Sequence, residues 1–146
     1  PLIVHWPAGI ADRGSLRHQV GHVIDIVPTI LELVGAEWPS EIDGQTRPTA
    51  PGASLAPAFK QPTDQPRTLW WLHENNRALR HGDMKVVAAK GEAWQLYDLS
   101  QDRSETENLA ENQPQLLGEL VGEWERRTAE LTALRASRNA GPRSER

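Results

Sequence analysis

The densest set of chemically able side chains is the run His73-Glu74-Asn75-Asn76-Arg77, which follows the aromatic pair Trp70-Trp71. Histidine titrates near neutrality, arginine presents a planar fork to anionic oxygens, and asparagine both donates and accepts hydrogen bonds. Such a set suits an anionic substrate, yet spacing alone favours a solvated hairpin connection. Two other constellations invite metal chemistry. His18 and His22 stand one helical turn apart, but a hydrolytic zinc pair needs a glutamate after the first histidine; Gln19 follows here, and Gly21 weakens the helix. Asp98, Ser100, Asp102 and Ser104 alternate like the start of a calcium loop, with Arg103 and Leu109 where an EF-hand requires Gly and Glu. An Asx-rich loop bonding its own backbone is the expectation there. Lys85 and Lys90 near the sheet could bind anions, but lone lysines on strands usually face water; Trp70, Trp71, Trp94 and Trp124 read as core packing rather than a sugar-stacking platform. The sequence contains no Gly-rich phosphate loop, no serine nucleophile elbow and no cysteine.

Composition narrows the remaining classes. The 146 residues carry a formal net charge of −4, and mean hydropathy is −0.59. No Lys/Arg stripe is interleaved with aromatic residues, so nucleic acid is not an expected partner. No apolar run approaches the ~20 residues that cross a bilayer, so no membrane partner is expected. No leader peptide is visible, and the absence of cysteine leaves the compartment open. The chain starts at Pro1 with the apolar run Leu2-Ile3-Val4. That start predicts a fragment whose first strand belongs inside a larger sheet.

The elements that must position these residues follow from periodicity. Leu2 to Trp6 is uninterruptedly apolar apart from His5, which predicts a strand covered on both faces in an α/β sheet. Asp25 is a candidate cap for a helix with Pro28 in its first turn and Gly35 at its end. Ile26, Ile30, Leu33 and Val34 recur at helical spacing, and their burial would contribute roughly 6–12 kcal/mol before entropy is counted. Residues 37–66 are rich in Pro, Gly, Ser and Thr and read as a connecting segment with a possible helical turn around 54–59. Four strand-like runs follow, Leu69 to His73, Arg77 to Arg80, Met84 to Ala89 and Trp94 to Leu99, joined by hairpin connections. Pro114 opens a long helix capped by Asn112 or Gln113. Its apolar stripe comprises Leu116, Leu117, Leu120, Val121, Trp124, Leu131 and Leu134. Gly118 and Gly122 suggest a close backbone neighbour. The expected organisation is 1–36, the end of an α/β domain; 37–66, a connection; 67–136, an α+β subdomain; and 137–146, a disordered tail.

Four stretches, in order, resemble the sulfatase family. Pro1 to Gly9 is similar to its late strand P-x-I-V-x-W-P-x-G, and Asp25 to Gly35 to its helix D-x-x-P-T-x-L-x-L-x-G. Leu72 to Lys85 resembles E-H-E-G-N-R-A-V-R-x-G-x-W-K, with Asn75 at the Gly position and Met84 at the Trp. Trp94 to Ala110 resembles W-E-L-Y-D-L-x-x-D-P-x-E-x-x-N-L-A, with Arg103 in place of Pro.

The resemblance implies the last strand and helix of an alkaline-phosphatase-like α/β domain, followed by a four-stranded antiparallel sheet packed by a long C-terminal helix. It implies sulfate ester hydrolysis by a formylglycine hydrate with a calcium ion. Nucleophile, calcium ligands and sulfate-binding lysine all lie upstream in the family, so no catalytic or metal residue is assigned here and the chain alone is expected to be inactive. The same resemblance makes His73, Glu74, Asn76 and Arg77 candidates for substrate binding at the cleft rim. The implied partners are a small-molecule or glycan sulfate ester and the upstream catalytic domain, and export to the periplasm or cell exterior is common in the family. Two alternatives remain open: a phosphodiesterase or phosphonate ester hydrolase of the same superfamily, or a non-catalytic sulfated-glycan-binding module.

Overall fold

A computed structural model of the chain describes residues 1–42, 44–63 and 66–139, with side-chain surroundings as far as 136. The chain divides into two compact units, Pro1–Gln65 and Pro66–Arg146.

In the first unit, Leu2 to Trp6 forms no strand. Its apolar side chains lie open, with Leu2 58% and Ile3 91% exposed. A strand exists only through a ladder partner, and none pairs with this segment among the described residues. The helix is where its periodicity places it. A 3₁₀ turn at Val23–Asp25 leads into α1, Ile26–Val34. Gly35 then takes the left-handed conformation (φ 67°), and N–H groups of Gly35 and Ala36 donate to the carbonyls of Glu32 and Leu31.

Two expectations for α1 change. Its apolar stripe is open, with Ile30 53% and Val34 69% exposed, because no sheet lies under it among the described residues. Asp25 does not cap α1 with its side chain. Its fully buried carboxylate instead accepts N–H bonds from His22 at 2.7 Å and Ala53 at 3.0 Å. Thr29 extends the same stitch: its hydroxyl donates to the Asp25 carbonyl at 2.6 Å and accepts from Leu55 N–H at 2.8 Å. Gly52 completes it, since a Cβ there would meet the Ile24 carbonyl oxygen at 2.2 Å. Beyond α1 the proline-rich connection holds a small hairpin, β1 (Glu41–Ile42) with β2 (Gln45–Thr46), and the short helix α2 (Ala56–Lys60).

The second unit is an antiparallel meander of β3 (Thr68–His73), β4 (Asn76–His81), β5 (Met84–Ala88) and β6 (Gln95–Asp98), in that order. Glu74 and Asn75 both take positive φ, 51° and 69°, as a two-residue hairpin matched to strand twist requires. Leu79 pairs with Val86, and Val86 with Leu96, so one row of fully buried side chains crosses the sheet. Leu120 and Trp124 of α3 (Pro114–Asn139) close over that row. Trp124 stacks on Trp70 (6.3 Å between centroids), meets Trp94 edge-on (5.4 Å), and donates its indole N–H to the Trp71 carbonyl. Trp70, Trp94 and Trp124 are therefore core, as expected.

The stripe of α3 is buried only in its first half; Leu131 and Leu134 are 46% and 47% exposed. Four strands span roughly 15–20 Å, whereas 26 residues of helix extend about 39 Å, so the helix overruns the sheet. Gly118 and Gly122 face open space rather than a neighbouring backbone. The expected tail lies outside the described residues from 140 onward, and helical backbone continues to Asn139.

The loop from Asp98 to Ala110 bonds its own backbone, as expected. Asp98 accepts from the hydroxyl and N–H of Ser100, at 2.7 and 2.9 Å. Asp102 accepts from the N–H groups of Glu107 and Thr106, at 2.8 and 2.7 Å. Asn108 accepts from Leu96 N–H while Leu109 N–H donates to the Leu96 carbonyl, covering an edge that β6 would otherwise leave unpaired. Glu105 anchors the loop to β5 through Lys85 at 2.5 Å.

Two outcomes follow. Asp25→Ala removes the acceptor of two N–H groups, at about 1–3 kcal/mol for each left unsatisfied. Both it and Gly52→Ala should lower the denaturant midpoint of the 146-residue chain; an unchanged midpoint would refute the stitch. The N–H of Glu107, and then the N–H and hydroxyl of Thr106, hold the Asp102 carboxyl below its ordinary value. A carboxyl depressed in the folded state stabilises above its unfolded pKa, and that contribution disappears as pH falls through the lower folded value. Asp102→Asn should thus lower Tm at neutral pH and flatten the loss of Tm below about pH 5, read from melts at several pH values.

Candidate functional site

The β3–β4 turn presents the expected polar cluster, but its members differ in how far the fold already uses them. His73 ends β3 opposite Asn76, at the start of β4. His73 and Glu74 are exposed, and the side chains of both make no hydrogen bond or ion pair among the described residues. Asn76 is a two-way tether. Its amide donates to the His73 carbonyl at 3.1 Å, and its side-chain oxygen accepts from Lys90 N–H at 3.1 Å.

Arg77 is held from two sides. Its guanidinium lies 4.6 Å over the Trp94 ring and donates to the Glu92 carbonyl at 3.0 Å. A cation over a partly desolvated indole is favourable by roughly 0.5–2 kcal/mol, so this arginine braces the 89–94 loop against β4. Its Nε is buried and has no hydrogen-bond partner among the described residues.

Beside the turn lies an open depression of about 480 Å³ lined by Leu72, Asn75, Arg77, Lys90, Gly91, Glu92 and Trp124. Of the four residues singled out in the sequence, only Arg77 lines it. Asn75, Lys90 and Glu92 join it instead. Their convergence depends on the pairing of β4 with β5 (Arg77 opposite Ala88) and on the left-handed Gly91 (φ 82°). The glycine was readable as a turn signal; the register that brings Lys90 beside Arg77 was not.

No group of three or more His, Asp or Glu side chains among the described residues is placed to hold a metal ion. Oδ1 of Asp98 and both carboxylate oxygens of Asp102, the residues most like calcium ligands in sequence, are engaged by the N–H and hydroxyl groups of their own loop. No nucleophile with an adjacent base is assembled at the depression. The arrangement can bind and orient an anion.

The first unit contains a larger hollow, about 810 Å³, whose walls include Leu2, Val4, Trp6, Val23, Ile26 and Phe59 as well as His5, Arg13 and His22. It is bordered by the open apolar segment and helix already described. His22 there also accepts the Ile24 N–H through Nδ1.

Comparison with known proteins gives one consistent result. The family "N-sulphoglucosamine sulphohydrolase, C-terminal" matches residues 1–132. An uncharacterised sulfatase of Schizosaccharomyces pombe is 35% identical over 132 residues, covering 85% of this chain and 24% of that protein. An N-acetylglucosamine-6-O-sulfatase of Bacteroides thetaiotaomicron is 27% identical over 124 residues, covering 75% of this chain and 21% of that protein. The crystal structure of Ps i-CgsB superposes with a TM-score of 0.53 at 25% identity, over 70% of this chain and 23% of that one. The chain thus spans about a quarter of the length of the curated relatives it matches. By this match and by its sheet-and-helix architecture, the chain belongs to the sulfatase family, as a sulfatase C-terminal region.

Proposed function

We propose that this chain is the carboxy-terminal portion of a longer sulfatase that hydrolyses sulfate esters of glycans, and that its own part in the reaction is to complete the fold and border the substrate cleft. One observation carries the proposal. Ile3, Val23, Val27, Ile30 and Val34 are each more than half exposed within a segment that belongs to a sulfatase family match. Contiguous apolar surface of this kind marks a contact with further protein. In this reading the cover is an upstream alkaline-phosphatase-like domain, in which Leu2 to Trp6 regains strand partners and α1 regains a sheet.

That upstream part would supply a formylglycine nucleophile, calcium and a sulfate-binding lysine, which together neutralise charge around the sulfuryl group. The residues of this chain act on the remainder of the substrate. His73 and Glu74 reach it. Asn76 and Arg77 position them, Asn76 through the His73 carbonyl and Arg77 by bracing the adjoining loop. The glycan class follows from the named activity of the Bacteroides relative. The chain by itself is inactive in this account, because the nucleophile, the cation ligands and the sulfate-binding lysine would lie upstream.

The test uses the full-length enzyme and the 146-residue chain side by side. Sulfate release should come from the former only. His73→Ala in the full-length enzyme should lower kcat/KM on a sulfated glycan about tenfold, equivalent to about 1.4 kcal/mol. Release of sulfate by the short chain, or an unchanged kcat/KM in the variant, would refute the reading.

A further inference from the structure

At the depression next to the β3–β4 turn, the Lys90 ammonium has no assigned role in that account, and Arg77 beside it is assigned only a bracing one. We infer that the depression framed by Arg77, Lys90 and Asn75 is an anion subsite, which takes a second acidic group of the substrate rather than the sulfate being hydrolysed. The inference rests on the proposed action on sulfated glycans and deepens it by naming a requirement: a substrate with at least two anionic substituents.

Four features support it. First, the charge is concentrated against the chain's own balance. The whole chain carries −4, yet this one depression gathers Arg77 and Lys90 against the single carboxylate of Glu92. Second, Lys90 is held in place without using its ammonium. Its backbone N–H is fixed by Asn76 at 3.1 Å, while its Nζ has no partner among the described residues. Third, Arg77 is preorganised by its Glu92 and Trp94 contacts. A rigid guanidinium loses less entropy on accepting an anion than a free one. Fourth, Leu72 and Trp124 supply an apolar wall and Asn75 an amide, the mixture that suits a sugar ring bearing a charged substituent.

Glu92 opposes this role through its charge. Lys90 is the residue to test, because its side chain makes no contact the fold depends on.

Backbone amide spectra of the 146-residue chain would be followed during titration with sulfated dextran oligosaccharides, with unsulfated dextran of equal length, and with inorganic sulfate. Shifts should centre on Asn75, Lys90, Gly91 and Glu92, appear with both sulfated probes, be absent with unsulfated dextran, and weaken as salt is raised. Lys90→Gln should weaken binding of the sulfated oligosaccharide by at least about threefold, whereas Lys60→Gln, which removes the same charge from the other unit, should not. Equal weakening by both variants, shifts located elsewhere, or equal binding of unsulfated dextran would overturn the inference. The two readings fail separately. A full-length enzyme that hydrolyses sulfate esters, with a Lys90→Gln variant of unchanged KM on a doubly sulfated glycan, would discard the subsite alone. An enzyme without sulfatase activity whose 146-residue chain still binds sulfated oligosaccharide at Lys90 would discard only the proposed function.

Discussion

The second unit depends on one packing contact: Trp124 of α3 seated across the row formed by Leu79, Val86 and Leu96. An indole is large enough to meet both flanks of the sheet. It stacks on Trp70 of β3, touches Trp94 just before β6, and donates its N–H to the Trp71 carbonyl. The contact propagates outward through Trp94, whose other neighbour is the Arg77 guanidinium. Arg77 in turn holds the Glu92 carbonyl. Helix, sheet and the two loops of the candidate site are therefore one mechanical series, in which a cavity at Trp124 would cost about 3–5 kcal/mol and loosen the loops joined to it through Trp94.

A second constraint shapes what the chain can do. Among the described residues, many polar side chains of its four motifs are engaged in folding. Asp25 and Thr29 stitch the 52–55 segment to α1. Asp98 and Asp102 shape their loop, Asn108 covers the edge of β6, and Asn76 joins two loops. Groups whose lone pairs are already accepting N–H bonds make poor metal ligands and poor bases. Few polar side chains near the β3–β4 turn stay uncommitted, chiefly His73, Glu74 and the Lys90 ammonium.

Much of this was legible from sequence where the deciding interactions are local. Period and capping place α1 and its Gly35 terminus, alternation and turn residues place the four strands, and short-range Asx chemistry describes the 98–107 loop. Readings that depended on distant residues fared differently. Leu2 to Trp6 has strand composition, but a ladder needs a partner, and the apolar face of α1 is open for the same reason. Asp25 looked like a cap for α1 because capping is the local use of aspartate; its carboxylate bonds His22 in the preceding turn and also Ala53, 28 residues away. The extent of α3 was readable, but not that half of it would overrun a four-stranded sheet. At the candidate site, Arg77 was recognisable by type, whereas Lys90 became relevant only through the pairing of β4 with β5.

The claim beneath all of this is that the second unit is a self-sufficient sheet-and-helix body, while the first unit carries an apolar face made for further protein. Amide hydrogen exchange on the 146-residue chain tests it directly. Slow exchange is expected across β3–β6 and the first half of α3, with the amides of residues 2–6 exchanging at rates near those of an unstructured peptide. Protection of residues 2–6 equal to that of β4 and β5 in the monomeric chain would contradict the account.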